Sequence, residues 1–198
     1  MYEQSKRIFD IVSSLIVLLV LFPILMIIGL LVALGSKGGA FYSQERIGKN
    51  GRVFRLLKFR SMRAGSDKKG QLTIGNDSRV TGIGKFLRKS KLDELPQLLN
   101  VLQGDMSVVG PRPEVQRYVS LYSAEQLKVL SVKPGLTDLA SIEYIDEQKI
   151  LGQAEDPDKE YVEVVMPAKL ALNLEYIERR SFRYDLRLIF KTIGKILF

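Results

Sequence analysis

Between Lys58 and Glu114 the sequence concentrates cations around a few acids. Lys58, Arg60, Arg63, Arg79, Lys85, Arg88, Lys91 and Arg112 stand among Asp67, Asp77, the adjacent pair Asp93-Glu94, Asp105 and Glu114. Cations around a carboxylate pair suit phosphoryl transfer. Guanidinium and ammonium groups neutralise phosphate oxygens, and carboxylates hold a divalent ion or attack phosphorus. The same pair can instead simply cap a helix, which is the commoner use of an acid at a helix start. Gly82-x-Gly84-Lys85 lacks the spacing of a phosphate-binding P-loop, and no dinucleotide-binding glycine motif follows a strand.

The residue inventory narrows the chemistry further. The chain has no His and no Cys, so Ser-His and Cys-His nucleophile pairs, disulfides and Cys or His zinc sites are excluded. A nucleophile must be Asp, Glu, Ser, Thr, Lys or Tyr. A metal must be held by oxygen, which favours Mg²⁺ or Mn²⁺. The formal net charge of +8 over 198 residues asks for an anionic partner: phosphate-bearing substrates, acidic lipid or nucleic acid.

The elements that must position these groups follow from local pattern. Phe41 to Phe59 reads as a hairpin turning at Asn50-Gly51. Ala64 to Asn76, with Lys68, Lys69 and Gly70, reads as a mobile loop. Leu92, Leu95, Leu98, Leu99 and Leu102 have helical spacing, and Pro96 suits a first turn, which puts Asp93 and Glu94 at or just before a helix N-terminus. Its dipole would favour phosphate. Gly104 to Pro113 (GDMSVVGPRP) reads as a structured loop without regular structure. Glu114 to Val132 reads as one helix, Lys133-Pro134-Gly135 as a turn, Glu155 to Lys159 as an acidic loop and Met166 to Glu178 as a helix. The expected fold class is α+β and mainly helical.

Ile11 to Ser36 carries no charge and is long enough to cross a bilayer core of roughly 30 Å as a helix. Pro23 sits near its centre and is expected to kink or break it. Lys6 and Arg7 precede the segment, and Lys37, Arg46, Lys49, Arg52, Arg55 and Lys58 follow it. Both flanks would prefer the cytoplasm. A single span cannot satisfy that, whereas a re-entrant hairpin of two half-helices can; charge and proline leave both open. At the other end Arg179, Arg183, Arg187, Lys191 and Lys195 recur every four residues among Leu186, Ile189, Phe190, Ile193, Ile196 and Leu197. This is an amphipathic helix, suited to an anionic membrane surface or to packing its apolar stripe on the core.

Asn76 to Pro113, NDSRVTGIGKFLRKSKLDELPQLLNVLQGDMSVVGPRP, closely resembles the signature of the bacterial sugar transferase family, the monotopic phosphoglycosyl transferases. FYSQERIGKNGRVFRLLKFRSM, Phe41 to Met62, and KRIFDIV at the head of the apolar segment match the same family. The resemblance implies a re-entrant anchor over residues 1–36, broken at Pro23, and a catalytic domain over 37–198 at the cytoplasmic face of the bacterial plasma membrane, ending in a membrane-surface helix. It implies Asp93 as a nucleophile that takes a phospho-sugar from a UDP-sugar, releases UMP and passes the group to polyprenyl phosphate, usually undecaprenyl phosphate, with Mg²⁺ required. Asp93 and Glu94 would be the catalytic and metal-holding dyad. Arg112 would grip phosphate on the rigid Gly110-Pro111-Arg112-Pro113 turn, with Lys58, Arg60, Arg88 and Glu114 as further substrate-contacting candidates.

The family pattern KPGITG followed by W-x-Q-V reads KPGLTDLASI here, with Asp138 in place of a glycine. That departure bears on sugar recognition. Expected partners are the UDP-sugar, the polyprenyl phosphate and the phospholipid membrane, with a homo-oligomer or contacts with downstream glycosyl transferases as further possibilities and no nucleic acid. A competing reading is a non-catalytic, membrane-anchored basic protein that binds nucleic acid or acidic lipid. It leaves the acids within the basic region unexplained, and the aromatics that stack on single strands are thin.

Overall fold

A computed structural model of the chain describes residues 2–66 and 77–197. The expected loop over Ala64 to Asn76 therefore falls mostly outside the described residues, and Asp67, Lys68, Lys69 and Gly70 with it. The fold is mainly helical with little strand, in keeping with the class expected.

Helix α1, Tyr2–Gly35, is a single helix with Pro23 inside it. The expected pair of half-helices is not seen: the helix is continuous. Proline removes one i→i−4 bond, and the leucine-rich turns on either side carry the helix across. Among the described residues α1 is the one helix long and apolar enough to cross a membrane. The folded body holds it in both halves. Near its start Arg7 donates to the carbonyls of Val101 and Leu102 at 2.6 and 2.9 Å, and Asp10 accepts from the Ser107 hydroxyl and the Val108 N–H at 3.1 and 3.0 Å. Near its end Ile28 and Val32 pack with Phe59 and Leu87. Leu19, Val20 and Phe22, in between, are exposed.

Strands β1, Phe41–Ile47, and β2, Val53–Phe59, pair antiparallel from Phe41↔Phe59 to Ile47↔Val53. The expected turn is made by Asn50 and Gly51, both at positive φ (56° and 76°), the conformation for which Asn-Gly is selected. Phe54 and Leu56 face inward onto Val101 and Met106; strand alternation puts Lys58 on that same face. Helix α3, Gln97–Gln103, fixes β2 through Asn100, whose amide donates to the Arg55 carbonyl at 2.8 Å and accepts from the Leu57 N–H at 3.0 Å. One buried side chain thus satisfies two strand-edge groups that would otherwise be orphaned.

Three sequence expectations are corrected. Residues 104–113 contain a strand, β3, Ser107–Val109, which pairs in parallel with β4, Gly135–Thr137. Composition could not show this, because the partner is distant. The pairing needs glycine: a Cβ on Gly135 would lie 2.1 Å from the Gly110 nitrogen. The expected helix from Glu114 to Val132 is two pieces, α4, Gln116–Val119, and a 3₁₀ stretch, Gln126–Ser131. Ser123 and Gln126 cap each other's backbone N–H groups at 2.8 and 3.2 Å, a reciprocal capping box that starts a new helix. The acidic loop at 155–159 holds a short helix, α7, Pro157–Glu160, capped by Asp156 with proline in its first turn.

Helices α5, Leu139–Glu143, and α6, Glu147–Gln153, lead into α7, and one π turn, Tyr161–Val165, precedes α8, Met166–Arg179. The larger core gathers Tyr118, Val129, Leu151, Tyr161 and Leu170. The final helix α9, Phe182–Leu197, does both things its pattern allows. Leu188 is buried against Val109, Ile142 and Tyr176, while Phe190, Ile193 and Ile196 stay exposed. Its buried Asp185 accepts from the Tyr2 hydroxyl at 2.9 Å, the Lys6 ammonium at 2.7 Å and the Tyr176 hydroxyl at 2.8 Å, binding the chain's two ends together.

Candidate active site

The acidic pair sits where a helix end, a tight turn and a second helix start meet. Helix α2, Gly82–Lys89, begins with the Thr81 hydroxyl accepting from the Gly84 N–H. It lies hard against the segment after β2: a Cβ on Gly84 would fall 2.0 Å from the Ser61 carbonyl oxygen. Lys91, left-handed at φ 57°, reverses the chain. Leu92–Glu94 then makes one 3₁₀ turn, and Pro96 leads into α3. The expectation that Asp93 and Glu94 stand just ahead of a helix is met.

The two carboxylates are treated differently. Glu94 is clamped: Arg112 donates to both of its oxygens, at 2.5 and 3.2 Å, and the Lys58 ammonium reaches it at 3.1 Å. Burial opposes its charge, but Arg112 and Lys58 outweigh burial and hold the Glu94 carboxyl well below its ordinary range. Asp93 is buried to 6% exposure yet lines the central cavity. It takes no hydrogen bond among the described residues. Burial, then the neighbouring Glu94 charge, pushes its carboxyl up, against the pull of Lys58, Arg88 and Lys91. Burial also pulls Lys58 and Arg88 down from their ordinary values. An electron-rich, poorly solvated carboxylate thus stands beside a neutralised one, in a ring of cations.

The cavity is about 600 Å³, and its lining includes Lys58, Arg63, Arg79, Arg88, Lys91, Asp93, Glu94 and Arg112. Of the expected substrate contacts, Lys58, Arg88 and Arg112 therefore converge on the dyad. Arg60 also lines the cavity, but its guanidinium donates to the carbonyls of Gly39 and Phe41 at 3.2 and 2.9 Å, tying down the start of β1. Glu114 also lines the cavity and is held by three donors: it accepts from Arg46 at 2.8 Å, from the Tyr161 hydroxyl at 2.5 Å and from the Val115 N–H at 2.8 Å.

Some of the site's residues escaped the sequence reading. Lys169 pairs with Glu147 at 2.5 Å and lies 5.6 Å from the Tyr161 ring centre, and all three line the cavity. No local spacing unites these three. Asp138, noted only as a departure from family pattern, is fully buried and caps α5 through the Ser141 N–H and hydroxyl at 2.8 and 2.6 Å. Asp-x-x-Ser is a readable capping signal.

The donor set accommodates a divalent ion only with help from a substrate. No group of three acidic ligands occurs among the described residues, and Mg²⁺ is commonly held by one or two carboxylates together with substrate phosphates. Asp93, facing the cavity, fits that use. Both Glu94 oxygens are engaged by cations, so Glu94 would join only by exchanging one of them.

The family model described as bacterial sugar transferase matches residues 1–198. The chain is 35% identical, over 98% of its length and 85% of the relative's, to the exopolysaccharide production protein ExoY of Rhizobium meliloti strain 1021. It is 38% identical, over 96% of its length, to the UDP-glucose:undecaprenyl-phosphate glucose-1-phosphate transferase of Escherichia coli K12, and covers 39% of that protein. It is 36% identical, over 99% of its length and 44% of the relative's, to a UDP-N-acetylgalactosamine-undecaprenyl-phosphate N-acetylgalactosaminephosphotransferase of Aeromonas hydrophila.

The asymmetry of the dyad makes opposite stability effects from two near-isosteric changes. Asp93 is raised above its ordinary 3.8, so its charge costs stability at neutral pH, and the cost is relieved as pH falls through the raised value. Asp93→Asn should melt above the unsubstituted protein at pH 7, the difference vanishing on acidification. Glu94 is depressed below its ordinary 4.5, so its pairs stabilise above that value and are lost as pH falls through the depressed one. Glu94→Gln should lose about 2–4 kcal/mol at pH 7, since it leaves two partly buried cations unmatched. Thermal melts of the detergent-solubilised proteins across pH decide the matter; a lower melting temperature for Asp93→Asn at pH 7 would contradict it.

Proposed function

The chain belongs to the bacterial sugar transferase family, and from that premise we propose that it transfers a sugar 1-phosphate from a UDP-sugar to a polyprenyl phosphate such as undecaprenyl phosphate, beginning assembly of a polysaccharide or glycoconjugate. The observation that carries the reading is the cavity-facing Asp93, in no ion pair among the described residues, beside a Glu94 already neutralised by Arg112 and Lys58. The names of the relatives, with their UDP-sugars and undecaprenyl phosphate, support the substrate class.

In the proposed reaction a carboxylate oxygen of Asp93 attacks the sugar-bearing phosphorus. The new P–O bond forms as the bond to the UMP oxygen breaks, and UMP leaves with that electron pair. A phosphate oxygen of the acceptor then attacks the same phosphorus, the aspartyl P–O bond breaks, and the Asp93 carboxylate is restored. Lys58, Arg88 and Arg112 would stabilise the charge on the phosphate oxygens in both steps. Glu94 holds the Arg112 fork and the Lys58 ammonium in place for that task. Mg²⁺, held by Asp93 and donor phosphates with Glu94 as a second candidate, would add charge neutralisation. Burial favours the attack by keeping the nucleophile poorly solvated.

Residues 1–36 would form the membrane anchor and 37–198 the catalytic domain, on the cytoplasmic face. Contacts in both halves of α1 support a continuous helix that lies along the domain with both halves on one side of the membrane. Asp10 and Ile28 are roughly 27 Å apart along a straight helix at 1.5 Å per residue, yet both touch the same domain. A helix crossing the membrane at right angles would carry one of them away. Exposed apolar residues on α1 and α9 supply the surface that lipid would cover.

Two experiments test these readings. Purified chain given a panel of UDP-sugars with undecaprenyl phosphate should release UMP and form lipid-linked sugar with at least one donor, saturably. Binding without turnover, falling steeply with salt, would favour the basic-binder alternative. For topology, single cysteines replacing Glu3 and Lys49 should both resist a membrane-impermeant thiol reagent in intact cells and both react after lysis. Labelling of the Glu3 site alone from outside would establish a spanning helix.

A further inference from the structure

The cavity that contains Asp93 has a lining of two chemical kinds. One is ionic. The other comes from α9 and α5, where Ile189, Ile193 and Ile196 line it together with Ile142 and Lys195. A nucleotide-sugar and its phosphates have no use for an aliphatic wall. The spacing of Ile189, Ile193 and Ile196, four then three residues, places them in one stripe along the helix. Leu188, one position around, is buried in the core, and Phe190 on the other side is 69% exposed. The stripe thus runs between the protein interior and the outward apolar face.

Its position is fixed from three sides. The Thr192 and Thr137 hydroxyls bond at 2.5 Å, joining α9 to β4. Asp185 ties α9 to Tyr2 and Lys6 of the anchor helix. The Phe9 and Phe182 rings meet edge to face at 5.4 Å. The stripe thus lines the same cavity as the cationic dyad, on a helix whose start is packed against α1. A ligand with a long hydrocarbon chain and a phosphate head matches that combination. A wholly polar one does not.

We propose that Ile189, Ile193 and Ile196 of α9, with Lys195, form the subsite for the acceptor, seating the phosphate-proximal part of the isoprenoid chain along the helix so that its phosphate points toward Asp93. The proposal rests on the transfer reading above and specifies where that reaction's second substrate enters. Lys195 meets the acceptor's phosphate as it approaches, and the isoleucines hold its first isoprene units while the remainder of the chain stays in lipid.

The test compares Ile193→Gln with Phe190→Gln in the full chain, in mixed micelles of detergent and phospholipid with undecaprenyl phosphate as acceptor. Both changes remove exposed apolar surface from α9, but only Ile193 lines the cavity. Ile193→Gln should lower kcat/KM for undecaprenyl phosphate roughly tenfold, the scale expected for losing one well-buried aliphatic contact, and leave kcat/KM for the UDP-sugar within about twofold. Ile193→Leu should restore most of the loss. Phe190→Gln should reduce vesicle binding as much as Ile193→Gln does, without the tenfold effect on the acceptor. An equal fall in both specificity constants would make α9 part of the donor site. Equal effects of the two glutamines would reduce the stripe to membrane adhesion, and no effect of Ile193→Gln would remove it from the reaction; each of these outcomes overturns the proposal. Absence of transfer by the unsubstituted chain from any UDP-sugar would overturn the transfer reading itself, and this subsite with it.

Discussion

Two neighbouring carboxylates cannot both be buried and charged without compensation, and the way this fold resolves that conflict organises its centre. Arg112 and Lys58 are given to Glu94, and Asp93 is left facing the cavity. The arrangement needs an exact delivery of side chains from unrelated parts of the chain. Lys58 comes from β2, held in register by the hairpin and by Asn100. Arg112 follows β3, whose pairing with β4 depends on the close approach of Gly110 and Gly135. The dyad itself rides on a single 3₁₀ turn set by the left-handed Lys91. Loss of any of these supports would redistribute charge around Asp93 rather than merely loosen the structure.

The same elements join the chemistry to the anchor. Asp10, at the head of the apolar segment, receives hydrogen bonds from Ser107 and Val108, two residues that begin the strand leading to Arg112. Val32, near the other end of α1, shares a cluster with Leu87, the neighbour of Arg88 on α2. The helix that would meet lipid is thereby packed directly against the supports of two cations in the site. A reaction that joins a water-soluble donor to a membrane-bound acceptor requires such fixed geometry between lipid and catalytic group.

What the sequence made legible was local or compositional. The Asn-Gly turn, the dyad ahead of Pro96, the cationic region and the amphipathic last helix all follow from nearby residues, and all are present. What it hid depends on distant partners. The β3–β4 pairing joins segments separated by more than twenty residues, and a Gly- and Pro-rich composition suggested irregular chain instead. The division of cations between Glu94 and Asp93 has no linear signature, nor have the hydrogen bonds that hold Glu114 and Arg60. Ser123-x-x-Gln126 and Asp156-Pro157 were readable as helix starts, but the reading of 114–132 as one helix and the acidity of 155–159 obscured them. At Pro23 the helix-breaking tendency of one residue was outweighed by the helix-forming run around it.

In the proposed function Asp93, held in no ion pair among the described residues, is the group that bonds to phosphorus. Intact-protein mass spectrometry after rapid quench, with UDP-sugar and Mg²⁺ present and acceptor absent, tests it directly. The expected result is a mass gain of one sugar phosphate, localised to the peptide carrying Asp93 and discharged on adding undecaprenyl phosphate. A protein that turns over without ever showing the adduct, and whose Asp93→Asn variant still forms product, would contradict the account and point to direct attack by the acceptor phosphate.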